Sequence, residues 1–403
     1  MSKHKSLFGY GGTNKAIAKL GKTLNIVWDI YDDSFKQKSK DEWGNNLLPS
    51  SEFNENNSSL EIITPGIPPH NELVKKAKNI QSDYDFFYDA MPKSIWISGT
   101  NGKSTTTKMI GVLLDAPTGA NIGTPIASMD FSSEFFVLES SSFSLHYTKK
   151  AYPMVYVLLP ISDDHLSWHG GYDEYKNAKL SPLLRMQNPC IAIIPSKFIN
   201  EEVVKNAKCK IIFYENSLDL AHKFEINTQK INFDEPFLLD SVLALAVEKI
   251  IKNTLNYDKI NSITLAPHTL EEHIIDGILW VDDSKGTNEQ STISAYKRYK
   301  DKRILGILGG DLKGVDAKKL IKELSTYNAR FYLIGTSKDI MESICKELKC
   351  DYIRCDDLKH AVELMKNEPK ECVRLLSPAC ASLDEFANYK QRGELFIKYA
   401  KEG

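Results

Sequence analysis

Short apolar runs alternate along this chain with glycine-rich or acidic turns, and most turns lead into stretches whose apolar positions recur at helical spacing. Bounded runs of that length predict buried strands, and the recurring positions predict helices. The clearest unit is SIWISGTNGKSTTTKMIGVLL, Ser94 to Leu114. Ile95, Trp96 and Ile97 predict a strand end, Gly99 to Gly102 a tight turn, and Lys103-Ser104-Thr105 the start of a helix carrying Met109, Ile110, Val112, Leu113 and Leu114. Before it, Leu7-Phe8 leads into Gly9-Tyr10-Gly11-Gly12, then a helix over 13–20. An alternating strand follows over 24–31, ending in Asp32-Asp33, with a short strand over 60–64 before Pro65-Gly66 and a helix over 71–78. The polar stretch 45–59 reads as loop. After it, strands are predicted over 135–139, 154–159, 191–194 and 211–214, and a helix over 172–184. Further strands are predicted over 279–281, 304–308, 331–334 and 373–376.

This alternation predicts an α/β protein of three domains. They are a small Rossmann-like domain over 1–92, a central P-loop-type mononucleotide-binding domain over 93–266, and a second Rossmann-like domain over 267–403. The length of 403 residues is enough for two or three cores.

Composition narrows the class. With 51 basic against 53 acidic residues, the chain lacks the basic excess of a general nucleic-acid binder. No apolar run approaches a membrane span, and the N-terminus lacks a signal-peptide core. The seven cysteines are scattered without a CxxC pair, which suggests neither a zinc site nor a disulfide scaffold but free thiols in a reducing cytoplasm. The expectation is a cytoplasmic monomer acting on small molecules, without nucleic-acid or membrane partners.

Strand, glycine turn, Lys-Ser and helix form the architecture of a phosphate cradle. Backbone N–H groups and the positive helix end face the anion, Lys103 adds a point charge, and the Ser104 hydroxyl can ligate Mg²⁺. The loop is a short variant, because Ile97 stands where the standard loop has its first glycine. Glu139 and His165 fall near the carboxyl ends of predicted strands, where open α/β sheets bind ligands. In the first segment, the glycine turn and Asp32 could meet a nucleotide, although GxGxxG is incomplete. No nucleophile elbow or Cys-His signature occurs.

Together GTNGKST (99–105), NIGTP (121–125), Glu139, DDH (163–165), YKNAK (175–179), PH (267–268), DDSKGTN (282–288), GGDLKG (309–314) and SPACASLDEFANYKQRGELF (377–396) resemble the Mur ligases, the ATP-dependent amino-acid ligases of peptidoglycan precursor synthesis. The last motif resembles the branch that adds D-glutamate. The resemblance implies ligation of D-glutamate to UDP-MurNAc-L-alanine in the cytoplasm, with ATP and Mg²⁺ at two sites. A carboxylate is a poor electrophile, so ATP converts it to an acyl phosphate that the amine attacks. Such chemistry needs positioning and charge neutralisation rather than a covalent nucleophile. Residues of two domains must then meet one phosphate, which implies closure.

By the same resemblance, Lys103, His165, Lys179 and Lys285 are catalytic. Gly99, Thr100, Asn101, Gly102, Lys103, Ser104, Thr105, Asp240, His268, Asp283, Lys285 and Asp311 bind the nucleotide. Ser104, Glu139, His165 and Lys179 hold Mg²⁺, Lys179 as its carbamate. Gly11, Gly12, Thr13, Asp32, Thr64, Gly66, Asn121, Ser144 and His165 meet the UDP-sugar. Thr287, Lys313, Ser382, Leu383 and Tyr389 meet D-glutamate. Two departures stand out: Thr269 where the family commonly has Arg, and Asp240 where it usually has Asn, an acceptor-only carboxylate in place of an amide. From the residues alone, an amide ligase such as a folate polyglutamate synthase and a non-catalytic nucleotide-binding switch remain alternatives. The C-terminal motif speaks against the first and the set of charged site residues against the second.

Overall fold

The computed structural model describes residues 4–312 and 315–402. It holds three six-stranded sheets in an α/β chain. The chain divides into two compact units, Met1–Ile263 and Thr264–Gly403.

The first unit carries two sheets. The front sheet contains β1 (His4–Phe8), β2 (Trp28–Asp32), β3 (Ser39–Lys40), β4 (Asn46–Pro49), β5 (Ser58–Ile63) and β6 (Ile80–Gln81), in the order β3-β4-β2-β1-β5-β6. All its pairs are parallel except β3–β4. Beyond the two-residue strands β3 and β6, which it did not predict, the sequence reading differs here at two stretches. The strand expected over 24–31 begins only at Trp28. Ile26 N–H closes a turn onto the Gly21 carbonyl at 2.8 Å, leaving Leu24 and Val27 exposed. The loop expected over 45–59 contains β4, where Leu47 pairs with Ile30; a four-residue strand is too short to show a period.

The middle sheet contains β7 (Lys93–Ser98), β8 (Thr118–Ala120), β9 (Phe135–Glu139), β10 (Val155–Leu158), β11 (Ile191–Pro195) and β12 (Lys210–Tyr214), ordered β12-β11-β10-β7-β9-β8 and wholly parallel. Its strands are buried apolar runs, as expected for a sheet covered on both faces. The helix expected over 172–184 is α-helical only to Leu180, and Ser181-Pro182 tightens the rest into a 3₁₀ turn. One apolar core joins the two sheets, including Leu7, Ile62, Tyr84, Trp96 and Leu138. Tyr84 stacks edge-on against Trp96 and donates to the Glu139 carbonyl at 3.2 Å. Tyr147 donates to the Ile67 carbonyl at 2.7 Å. These contacts fix the carboxyl edge of the front sheet to the middle sheet.

The second unit has one sheet: β13 (Glu271–Ile275), β14 (Ile278–Asp282), β15 (Ile304–Gly309), β16 (Ala329–Ile334), β17 (Tyr352–Arg354) and β18 (Val373–Leu376), ordered β13-β14-β18-β15-β16-β17. It is parallel except for the β13–β14 hairpin. Sequence reading missed the three-residue edge strand β17 and also β13. Its signal was Asp276-Gly277, whose φ values of 53° and 76° make the tight hairpin turn.

Among the described residues, no helix is long and apolar enough to cross a membrane. All seven cysteines are free thiols.

Candidate active site

The turn between β7 and the helix Lys103–Leu114 is built on two glycines. Gly99 and Gly102 have φ of 147° and 81°. A Cβ on Gly99 would sit 2.5 Å from Leu159 Cβ, and one on Gly102 would sit 2.5 Å from Asp240 Oδ1. Only glycine combines that backbone with so close an approach. Thr100 anchors the turn: its N–H donates to the Pro160 carbonyl at 3.1 Å, and its hydroxyl oxygen accepts the Ser162 N–H at 3.0 Å. Lys103 Nζ reaches back to the Thr100 carbonyl at 2.7 Å. Asn101 and Thr105 are only partly buried, so the open side of the turn reaches solvent. A helix start of this kind aims backbone N–H groups and a positive dipole end at an anion.

Glu139 closes β9 beside this turn, because register pairs it with Ile97 of β7. Its Oε2 accepts from Ser104 Oγ at 2.6 Å and its Oε1 from Asn121 Nδ2 at 2.5 Å. One carboxylate thus joins the cradle helix to the loop after β8. A hydroxyl and a carboxylate are the oxygen donors that a hard divalent cation takes, so the pair fits Mg²⁺.

Lys179 lies behind the turn, 1 % exposed. Its Nζ donates to the Gly99 carbonyl at 2.7 Å and sits 4.8 Å from the Tyr175 ring centre. Burial, reinforced by the charge of Lys103, pushes the amine well below the ordinary lysine range. His165 caps the short helix Leu166–His169 with a φ of 53°. Its ring lies 4.7 Å from that of Phe143 and is half exposed. Burial lowers this imidazole, against the pull of Asp164 and with help from Lys103 and Lys179.

Asp240 stands on the helix Phe237–Lys252, 3 % exposed, and accepts from Thr106 Oγ1 at 2.9 Å. Burial pushes its carboxyl up to about 8. That direction favours the protonated form, and a protonated carboxyl, like an amide, carries a donor as well as an acceptor.

At the carboxyl edge of the front sheet, Gly11 caps the helix Gly12–Thr23, whose first turn holds Thr13. A Cβ on Gly11 would lie 3.3 Å from Thr64 Oγ1, so these two sit side by side. Asp32 accepts the Tyr10 N–H at 2.7 Å and the Ser34 N–H at 2.9 Å. The Gly66 carbonyl accepts from Trp168 Nε1 at 3.3 Å, linking this edge to the segment that carries His165. Ser144 packs on Ser141, hydroxyl to hydroxyl at 2.9 Å, in the turn that follows Glu139.

In the second unit, Asp283 is buried between Ser377 Oγ, 2.6 Å away, and the Leu270 N–H at 3.2 Å, and burial pushes it up to about 7. The Lys285 N–H donates to the His268 carbonyl at 3.0 Å. His268 has a φ of 61° and is pinned by Asp282, 2.7 Å from its Nδ1, and by Glu271, which accepts its N–H at 2.9 Å. Asp311 and Ala381 exchange two backbone bonds, at 3.0 and 2.9 Å. Thr287 is partly buried, Ser382 is buried and Leu383 is exposed. The ring of Tyr389 lies 6.3 Å from that of His268. Lys313 lies outside the described residues.

Three residues of these surroundings had no role in the sequence reading. Tyr175 lies 2.9 Å, hydroxyl to hydroxyl, from Thr100, and its place one helical turn before Lys179 was the available signal. Thr106 gave none, because it acts on a partner 134 positions away; Arg392 lies inside the 377–396 motif but was given no role of its own.

A glycine-turn phosphate cradle beside a strand-end carboxylate, on a parallel sheet, defines the class: a P-loop-type nucleotide-binding α/β protein. Residues 97–236 match the family model of the Mur ligase middle domain. The UDP-N-acetylmuramoylalanine–D-glutamate ligase of Campylobacter jejuni subsp. jejuni strain 81-176 is 48% identical over 401 residues, 97% of this chain and 98% of that protein. The chain belongs to the Mur ligase family, in the branch of the UDP-N-acetylmuramoylalanine–D-glutamate ligases. Solved structures share the fold at low identity. The MurF ligase of Thermotoga maritima in complex with ADP is 16% identical, with a TM-score of 0.58 over 86% of this chain and 89% of that one. The folylpolyglutamate synthase of Mycobacterium tuberculosis, complexed with ADP and AMPPCP, is 14% identical, with a TM-score of 0.54 over 76% and 91%.

Proposed function

We propose that this chain joins D-glutamate to UDP-N-acetylmuramoyl-L-alanine, driven by ATP, in the cytoplasmic stage of peptidoglycan precursor synthesis. The observation that carries the reading is near-full-length identity of 48% to a D-glutamate ligase, in a chain that keeps the cradle and the Ser104–Glu139–Asn121 node. The fold alone does not select a substrate, since a folate-linked ligase shares it.

In this reading the 1–92 segment takes the UDP end through Gly11, Gly12, Thr13, Asp32, Thr64 and Gly66. The 93–266 segment takes ATP, and the 267–403 segment takes D-glutamate through Thr287, Lys313, Ser382, Leu383 and Tyr389. The alanyl carboxylate oxygen attacks the γ-phosphorus and ADP leaves, giving an acyl phosphate. The D-glutamate amine then attacks the acyl carbon, phosphate leaves, and the nitrogen gives up a proton. Lys103 and the turn N–H groups hold the phosphates and take up their developing charge. Asn121, Ser144 and His165 orient the acceptor. By the family resemblance, His268, Asp283, Lys285 and Asp311 are the nucleotide-binding candidates of the 267–403 segment.

Ser104 and Glu139 would hold one Mg²⁺, and His165 with Lys179 the second; such ions would supply charge neutralisation on the phosphates. An ammonium at Lys179 would repel a cation, whereas its carbamate would bind one. Only a neutral amine adds CO₂, releasing one proton, and the burial of Lys179 favours that form.

The test is phosphate release from ATP by the purified protein. Release that requires both the UDP-muramoyl-alanine acceptor and D-glutamate, and that L-glutamate does not support, is the expected result. Turnover with a pteroate acceptor instead would replace this reading with the folate one.

A further inference from the structure

Arg392 projects from the helix Tyr389–Lys401 and is 1 % exposed. Its guanidinium serves two loops at once. Nε donates to Ser284 Oγ at 3.0 Å and Nη2 to the Ser284 carbonyl at 2.8 Å, while Nη1 donates to the Cys380 carbonyl at 3.2 Å. Ser284 stands in the loop leaving β14, between Asp283 and Lys285. Cys380 stands in the loop leaving β18, two residues before Ser382. The Ser284 hydroxyl then donates to the Tyr389 carbonyl at 2.7 Å, which returns the chain of bonds to the helix that carries Arg392. A separate backbone bond, Ala379 N–H to the Gly286 carbonyl at 3.1 Å, joins the same two loops.

A guanidinium is planar, with donors in a fixed fork, so a residue bonded to two loops sets the spacing between them. Burial lowers this side chain to about 10, so it stays charged at neutral pH. Asp283, Lys285 and Thr287 stand on the loop leaving β14, and Ser382 and Leu383 on the loop leaving β18.

We propose that Arg392 is a positioning residue that holds these two loops at the separation needed to grip the incoming amino acid from both sides. The inference rests on the functional reading above, in which both loops meet D-glutamate. It touches no substrate; it acts through Ser284 and Cys380. A lysine at this position carries the charge but a single donor head, and cannot bond both loops in one plane.

The full-length variants R392K and S284A, and the double variant, are assayed by phosphate release, with KM measured separately for D-glutamate and for the UDP-linked acceptor. R392K is expected to raise KM for D-glutamate roughly tenfold or more, with KM for the acceptor within about twofold of wild type. S284A is expected to give a smaller rise in the same constant, and the double variant to be no worse than R392K, because both changes break one network. The thermal midpoint is recorded alongside. Should R392K prove unfolded, S284A still decides the matter. An unchanged KM for D-glutamate in folded R392K overturns the proposal, as does an equal rise in both KM values or strict additivity. If wild-type protein shows no D-glutamate-dependent turnover, the functional reading itself falls and takes this inference with it, a failure read on the wild type alone.

Discussion

Thr106 donates its hydroxyl hydrogen to Asp240 at 2.9 Å, across 134 positions of sequence. The same carboxylate oxygen lies where a Cβ on Gly102 would collide with it. The rear wall of the phosphate cradle is therefore a buried carboxyl, and its protonation is coupled to folding.

Asp240→Asn should stabilise the protein, and more so as pH rises. The folded carboxyl is pushed up to about 8, above its unfolded value near 4. The native state thus holds a proton that the unfolded state releases between those values. Stability from this group is complete below about pH 4 and is lost as pH rises towards 8. Each pH unit in that window is worth at most about 1.4 kcal/mol. Asparagine keeps the acceptor for Thr106 and removes the titration. Thermal midpoints at pH 5 and pH 8 should show the variant's advantage widening; a constant gap would mean that Asp240 ionises normally in the fold.

Gly102→Ala should lose nucleotide binding and stability together. The φ of 81° strains an L side chain, and the new methyl would press on Asp240. The cost should be about 1–3 kcal/mol in denaturant unfolding. In the double variant with Asp240→Ala, part of that loss should return, since the closest colliding atom, Oδ1, is gone while Leu159 remains.

Lys103→Ala should cut ligation by about a hundredfold or more while leaving the thermal midpoint within a few degrees. Nζ reaches the Thr100 carbonyl and the side chain is only partly buried, so the apolar core is untouched. Near-normal turnover in a single-turnover assay would remove the cradle from the reaction.

Lys179→Met should abolish activity and raise stability at neutral pH. Burial depresses the folded amine, so the unfolded state binds the extra proton. The stability deficit this creates is present below the folded pKa and vanishes as pH rises towards the unfolded value near 10.4. The midpoint difference between variant and wild type should therefore shrink at high pH. Lys179→Ala, in turn, should regain part of its activity with added short carboxylates, which stand in for the carbamate; full activity without them would take Lys179 out of the metal site.

What could be read along the chain was local chemistry. The turn from Gly99 to Lys103 needs no distant partner to be recognised, because the strand, the glycines and the helix start follow one another in sequence. The same holds for Glu139 at the end of β9 and for the buried runs of the middle sheet. Short or edge elements, among them β3, β4, β6, β8, β13 and β17, escaped because a few residues carry no usable period. Ionisation and loop spacing were beyond reach for a different reason. Asp240 is an ordinary carboxylate until its helix buries it against Gly102, and Arg392 is an ordinary helix arginine until two loops from β14 and β18 close over it. Desolvation and long-range hydrogen bonding depend on what packs nearby, so the sequence by itself determined which groups are present, and tertiary packing decided what charge they carry and what they hold in place.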